Sequence, residues 1–327
     1  MLPVSRLAQI GIGREFVSGG PSFPDGWSYR KSLSLSRASG AVTDYQIKLT
    51  VHRSSGSDSG ADVYIGTNCE ADYDDIRFTT SDGETLLDYW IEVSDSDSAT
   101  IWIEFNSIGT GATTFYMYYG KADASAVSSG ANTFPLFDDF PGTSLGAEWT
   151  SSGTASVADS VCTIRGGSGT DSKIIGTTTF AQNYAMRAKI KVANAPGTTT
   201  VKEGAGFRSG GTGECSFTMP SHTSGSTYCN KHYNYDGGTA NGAITGGINA
   251  NVWAVWQLIR NSTTSVIFSQ DDAEAVTVTD QLPDNSHPME ILAGQTTAAY
   301  IYIDWVLWRK YQATEPAWGS WGSEEAL

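Results

Sequence analysis

An all-β chain of two tandem antiparallel β-sandwiches behind an extended N-terminal arm is the fold class that three features of the sequence predict. Glycine is abundant, at 36 of 327 residues, and Ser and Thr crowd the intervals between short apolar runs, as in chains of many strands joined by tight turns. Inside those runs polar and apolar side chains alternate at period two, which sets one face on a core and the other in water. No segment carries a sustained helical period, which argues against a parallel α/β sheet.

Residues 1–25 hold Gly11, Gly13, Gly19, Gly20, Pro21 and Pro24 and predict an extended arm. From Trp27 the pattern changes. Ser32 to Ser36 and Tyr45 to Val51 alternate strictly, and similar runs follow at Ile76 to Thr79, Tyr89 to Val93, Thr100 to Phe105 and Thr114 to Tyr119. Turn signals such as Asp82-Gly83 and Gly109-Thr110-Gly111 separate them. A connector of small residues, 122–135, ends the first domain, which is drawn at 26–131, and the second is drawn at 132–327. Within the second, Tyr184 to Val192 predicts a strand, and Asn251 to Phe268 predicts two antiparallel strands with a turn at Asn261 to Thr264.

The net charge of −15 is spread over the chain, with 9 basic against 17 acidic residues before Leu136 and 11 against 18 from there on. Nucleic-acid binding needs a basic face to displace phosphate counterions, and no Lys/Arg cluster of that kind occurs, so that class is excluded. No run approaches the ~20 apolar residues of a membrane-spanning helix. Residues 1–20 lack the apolar core and cleavage site of a signal peptide, and with the arm they predict a virion surface or extracellular setting reached by another route. Cys69, Cys162, Cys215 and Cys229 lack zinc-site spacing. Cys215 and Cys229 flank a Gly/Ser/Thr-rich stretch and are either a loop-closing disulfide or two buried thiols.

The ordered segments GWSYRKSLSLS, DYDDIRFTTSDGETLLDYWIE, ATIWIEF and FYMYYGKADA, over roughly Gly26 to Gly130, resemble a domain family of unknown function found in archaeal, bacterial and viral surface proteins. Further on, DDFPGTSLGAEW and IDWVLW stand in the order of the opening D-E-F-x-G-x-x-L-x-x-x-W motif and closing x-D-Y-V-x-V strand of laminarinase-type hydrolases. Residues Leu136 to Tyr311 therefore resemble the concanavalin-A-like jelly roll that those hydrolases share with lectins.

That resemblance implies a structural Ca²⁺ clipping the first and last strands, with Asp139 and Asp304 as ligands and Asp138 as helper, because hard cations take carboxylate and carbonyl oxygens. Alternatively Asp138 and Asp139 cap a turn and Asp304 pairs with Arg309 or nearby backbone. Laminarinase-type catalysis needs E-x-D-x-x-E or E-x-D-x-E on one strand, and neither spacing occurs, which predicts no enzyme. The stretch Tyr228 to Asp236 offers aromatic faces beside polar groups, with Tyr228, His232, Tyr233 and Tyr235 as carbohydrate-binding candidates in a loop. Together these observations predict a non-catalytic adhesion protein recognising a glycan or surface protein through the lectin-like domain. The alternatives are a structural virion or cell-surface assembly protein, oligomeric and held to other assembly proteins, and a polysaccharide-active hydrolase.

Overall fold

The computed structural model describes residues 25–193, 203–207, 214–219, 231–235, 239–243, 251–282, 285–294 and 300–327. The arm expected over the first two dozen residues falls outside them. The chain opens with β1 (Tyr29–Ser36), β2 (Val42–His52), β3 (Asp62–Tyr64), β4 (Arg77–Thr79), β5 (Leu86–Leu87), β6 (Tyr89–Ser94), β7 (Ser98–Ile108) and β8 (Thr113–Tyr119). A single helical turn, α1 (Gly130–Thr133), follows, capped by the Ser129 side chain, which accepts from the Asn132 N–H. Next come β9 (Leu136–Asp138), β10 (Trp149–Ser152), β11 (Thr154–Ala158), β12 (Val161–Arg165), β13 (Ser172–Phe180) and β14 (Tyr184–Ala193). They are succeeded by β15 (Glu203–Phe207), β16 (Glu214–Met219), β17 (Lys231–Tyr235), β18 (Thr239–Ala243), β19 (Trp253–Asn261) and β20 (Ser265–Gln270). The last are β21 (Ala273–Val278), β22 (His287–Ala293), β23 (Tyr300–Lys310), β24 (Ala317–Trp321) and β25 (Glu325–Ala326).

These strands build two sandwiches, as the alternation requires. In the first, a sheet in the order β24-β1-β8-β4-β5 packs on a sheet in the order β3-β2-β7-β6. Leu33, Leu35, Phe115 and Met117 from one meet Tyr45, Leu49, Ile101 and Ile103 from the other in a single core. The second sandwich is a jelly roll of two antiparallel sheets. Its front sheet runs β10-β13-β22-β15-β16-β17-β18, and its back sheet runs β11-β12-β23-β14-β19-β20-β21 with β9 added against β23. Ile174, Met289 and Ile291 of the front sheet meet Met186, Ile190, Trp256, Ile303 and Trp308 of the back sheet between them.

The boundary drawn at 132–327 requires one correction. After β23 the chain leaves the jelly roll and returns to the first sandwich, where β24 and β25 pair antiparallel with β1. Trp318 and Trp321, stacked with centroids 5.8 Å apart, close the edge of that sandwich's core. The first domain is thus discontinuous. Residues 317–321, with Trp318 and Trp321 three positions apart, carry no strict alternation, and which sheet they join is a long-range choice that local pattern does not set.

The two sandwiches are locked together on the outer side of the back sheet. Trp90 and Trp102 of the first sandwich, Phe134 beside α1, and Trp305 and Leu307 of β23 form one buried cluster. The Trp90 and Trp305 rings meet edge to face at 5.2 Å, a geometry worth about 0.5–1.5 kcal/mol beyond the area buried. Beside it Arg187, 2% exposed, donates to Glu92 of β6 at 2.7 Å and to Asp272 at 2.6 Å. Lys48 of β2 reaches the same Asp272 at 2.8 Å, so the junction is bridged by charge as well as by aromatic packing.

Candidate functional site

The face of the front sheet that looks away from the core is defined by strand parity. On β22, Met289 and Ile291 point into the core, so Glu290 lies on the outer face. Glu290 is nonetheless buried, and Lys173 of β13 approaches its Oε2 at 3.0 Å. Ladder pairing then carries one register row across the sheet, through Ile175, Glu290, Gly206, Ser216, Tyr233 and Asn241. Two residues to one side runs the row Lys173, Leu292, Gly204, Thr218 and Lys231. On the other side Glu214, Tyr235 and Thr239 stand in register.

Strand β15 occupies the middle of this face with Gly204 and Gly206 at its outer positions. A glycine inside a strand forgoes side-chain packing, and it marks a place where something approaches the backbone closely. Gly206 stands level with Glu290 of β22 and Ser216 of β16, and Gly204 one row further from Glu214, so β15 presents bare backbone at both positions between the strands that bear the two acids.

Sequence reasoning placed Tyr228, His232, Tyr233 and Tyr235 in one loop. Residues 231–235 are instead the strand β17, because Lys231, Tyr233 and Tyr235 alternate with His232 and Asn234. Tyr233 and Tyr235 share the parity of Glu290, whereas His232 shares a row with Phe217, Ala205 and Ile291 on the core side. His232 and the two tyrosines thus hold alternate register positions along β17. Tyr228 lies outside the described residues, and so does Cys229 with its suggested partnership to Cys215.

The acids proposed for calcium also fall apart. Asp138 sits on the inner face of β9, where its carboxylate accepts from the Phe140 N–H at 2.7 Å and from Trp149 Nε1 at 2.6 Å. Burial pushes this carboxyl up to about 6, with the neighbouring Glu148 adding to the rise against the two donated hydrogen bonds. Asp304 lies at a bulge on the outer face of β23, and Lys189 of β14 holds it at 2.7 Å. Asp138 and Asp304 thus occupy opposite faces of one sheet, and the oxygens of Asp138 are taken by donors, so they do not fit a shared cation. Asp139 is exposed and lines a cleft of about 630 Å³ with Phe140, Glu148 and Trp90. The partner suggested for Asp304, Arg309, instead meets Glu315 at 2.9 Å. Among the described residues no three His, Cys, Asp or Glu side chains gather as a metal site.

The absent one-strand triplet gives Glu290 no distinction among the glutamates of the sequence. On β16 that triplet would begin at Glu214, but Ser216 and Met219 stand where the second and third acids would be. A single strand therefore cannot supply the pair. The available signal was the Met289-Glu290-Ile291 alternation, which marks an acid facing away from a core.

A family model for a domain of unknown function, DUF2341, matches residues 72–152, from just before β4 to the end of β10. No curated protein matches the chain by sequence. Among solved structures the chain resembles β-agarase A in complex with oligoagarose, at 12% identity and a TM-score of 0.43 over 55% of this chain and 91% of that one. It also resembles an endo-β-1,3-glucanase from Pyrococcus furiosus, at 12% identity and a TM-score of 0.43 over 56% of this chain and 95% of that one. A β-1,3-glucanase from Mycobacterium marinum matches at 14% identity and a TM-score of 0.43 over 54% and 98%. The descriptions of these neighbours name glycanases and no adhesion protein, so they run against the expectation of a non-catalytic adhesion protein. At such identities the likeness concerns the fold alone. No helix among the described residues is long and apolar enough to cross a membrane.

Proposed function

We propose that the jelly roll acts on polysaccharide along the outer face of its front sheet, with Glu214 and Glu290 as the carboxylate pair. The carrying observation is the glycine floor of β15 between the strands that bear those two acids. Two strand spacings of about 4.8 Å and an offset of two residues at about 3.4 Å set their backbone positions roughly 12 Å apart. That backbone separation is compatible with the carboxylate separations of glycoside hydrolases, about 5 to 9.5 Å. Tyr233 and Tyr235 occupy the register positions where ring faces would stack on sugar, and Ser216, Thr218 and Asn241 supply hydrogen-bonding groups alongside.

The pair differs from the one-strand arrangement whose absence argued against an enzyme, because it is drawn from β16 and β22. Polysaccharide of this kind lies outside cells, so the proposal sets the chain at an extracellular or virion surface. The test is release of reducing ends from agarose, β-1,3-glucan and mucin by the full chain, beside a Tyr233→Ala/Tyr235→Ala variant. Activity on one of these that is lost in the variant supports the reading. A chain that neither cleaves nor is retarded by any of them overturns it.

A further inference from the structure

The back sheet carries a second surface of distinct chemistry, on the other side of the jelly roll from the glycine floor. Cys162, Ile164, Ile190, Val192, Ala254, Ile301 and Ile303 point into the core, so the residues between them face outward. In register across β12, β23, β14 and β19 stand Thr163, Tyr302, Lys191 and Trp253, with Arg165 and Tyr300 in the next row. Tyr300 and Tyr302 stack almost parallel, with centroids 6.1 Å apart and 8° between planes. Lys191 Nζ lies 4.8 Å from the Trp253 centroid and 4.7 Å from that of Tyr302. Lys189 stands 5.9 Å from the Trp253 ring, and the Arg165 guanidinium 5.5 Å from that of Tyr300.

Two facts set this strip apart. The first sandwich covers the neighbouring part of the same face, at Trp305 and Leu307, but leaves Trp253, Tyr300 and Tyr302 half-exposed. In a chain of net charge −15, the strip also gathers Lys189, Lys191 and Arg165 against its rings, with Lys189 paired to Asp304. Among the described residues no carboxylate lies within ion-pair distance of Lys191, whose charge rests between two aromatic rings.

Ring faces in a row take the C–H faces of sugars, and cations fixed among them take carboxylate or sulfate groups. We propose that this strip binds an acidic polysaccharide, one bearing uronate or sulfate, at a site separate from the glycine floor. Stacked aromatics with cations also suit single-stranded nucleic acid. The acidity of the rest of the chain opposes so densely charged a polymer, whereas a polysaccharide with charges spaced along it meets only the local strip.

The test is binding of the full chain to polygalacturonate, to neutral dextran and to single-stranded DNA by affinity electrophoresis, with Lys191→Met, Tyr302→Leu and Trp253→Ala. The site predicts retention by polygalacturonate and not by dextran, falling with added salt, and weakened about tenfold or more in each variant. Glu290→Gln leaves that retention intact, which separates failure of this site from failure of the proposed activity. Retention unchanged in all three variants, with thermal unfolding as in the parent, overturns the proposal, and so does preference for the DNA.

Discussion

Lys173 of β13 and Glu290 of β22 meet at 3.0 Å on the side of the front sheet that faces away from the core, the glutamate buried and the lysine partly open to water. An acid buried on an outward face requires a partner, and the neighbouring strand supplies one in register, Lys173 being opposite Leu292 and two residues from Ile175, which is opposite Glu290. Removing the lysine takes away the contact that Lys173 makes with Oε2 of the buried carboxylate. Lys173→Met is expected to cost about 1–2 kcal/mol, the partial exposure of the lysine keeping this below the figure for a wholly buried pair. Pairing it with Glu290→Gln recovers most of the loss. Chemical denaturation of the two variants checks this, and an equal loss in both removes the coupling.

Arg187 holds the sandwiches together, since its guanidinium is shared between Glu92 of the first and Asp272 of the second. Replacing it with Met leaves Glu92 to the Trp102 indole N–H and Asp272 to Lys48. The expected cost is about 2–3 kcal/mol, the exposure of Asp272 keeping this below the figure for a wholly buried pair. In calorimetry the variant should unfold in separated transitions where the parent unfolds in a more cooperative one. A variant with the parent's profile would show that aromatic packing alone makes the junction.

Acid acts on the two halves of this account with opposite sign. Burial raises the Asp272 carboxyl, but Arg187 and Lys48 overcome it and bring the group down to about 2. Its contribution to stability is full above the unfolded value near 4 and is lost as pH falls from about 4 to 2. Asp138, raised to about 6, binds its proton more tightly when folded, so stability falls as pH rises from about 4 to 6. Melting temperatures from pH 2 to 7 should show Asp272→Asn flattening the lower limb and Asp138→Asn the upper. Exchange of these effects would refute both assignments.

The returning strand β24 completes the first sandwich from the far end of the chain, and its removal bares the edge of β1 and the core beneath Trp318 and Trp321. A chain ending at Thr314 is expected to lose cooperative unfolding of the first sandwich and to aggregate. Adding a peptide of residues 315–327 should restore it, as monitored by light scattering. A truncated chain that stays monomeric and stable refutes a structural role for the tail.

Much of this architecture is legible in alternation alone. Tyr45 to Val51 lies within β2, Thr100 to Phe105 within β7, and the turn expected at Asn261 to Thr264 separates β19 from β20. Partners and sides are another matter. Alternation could not show that β24 joins β1, since that pairing joins residues nearly 300 positions apart. The resemblance of two motifs brought Asp138 and Asp304 together, but each side chain's face is set by local parity and by the bulge between Lys189 and Ile190. The stretch holding Tyr233 and Tyr235 reads as a loop in the sequence but forms the strand β17, because Tyr, Asn and His serve turns and strands alike.

The glycine floor between the strands that bear the two acids is tested most directly by the rate of reducing-end release from the preferred polysaccharide in Glu214→Gln and Glu290→Gln. Positioned as a pair, each change should lower turnover by about a hundredfold or more, with polysaccharide still bound and the fold intact by circular dichroism. Turnover that survives either change at the parent's rate contradicts the account.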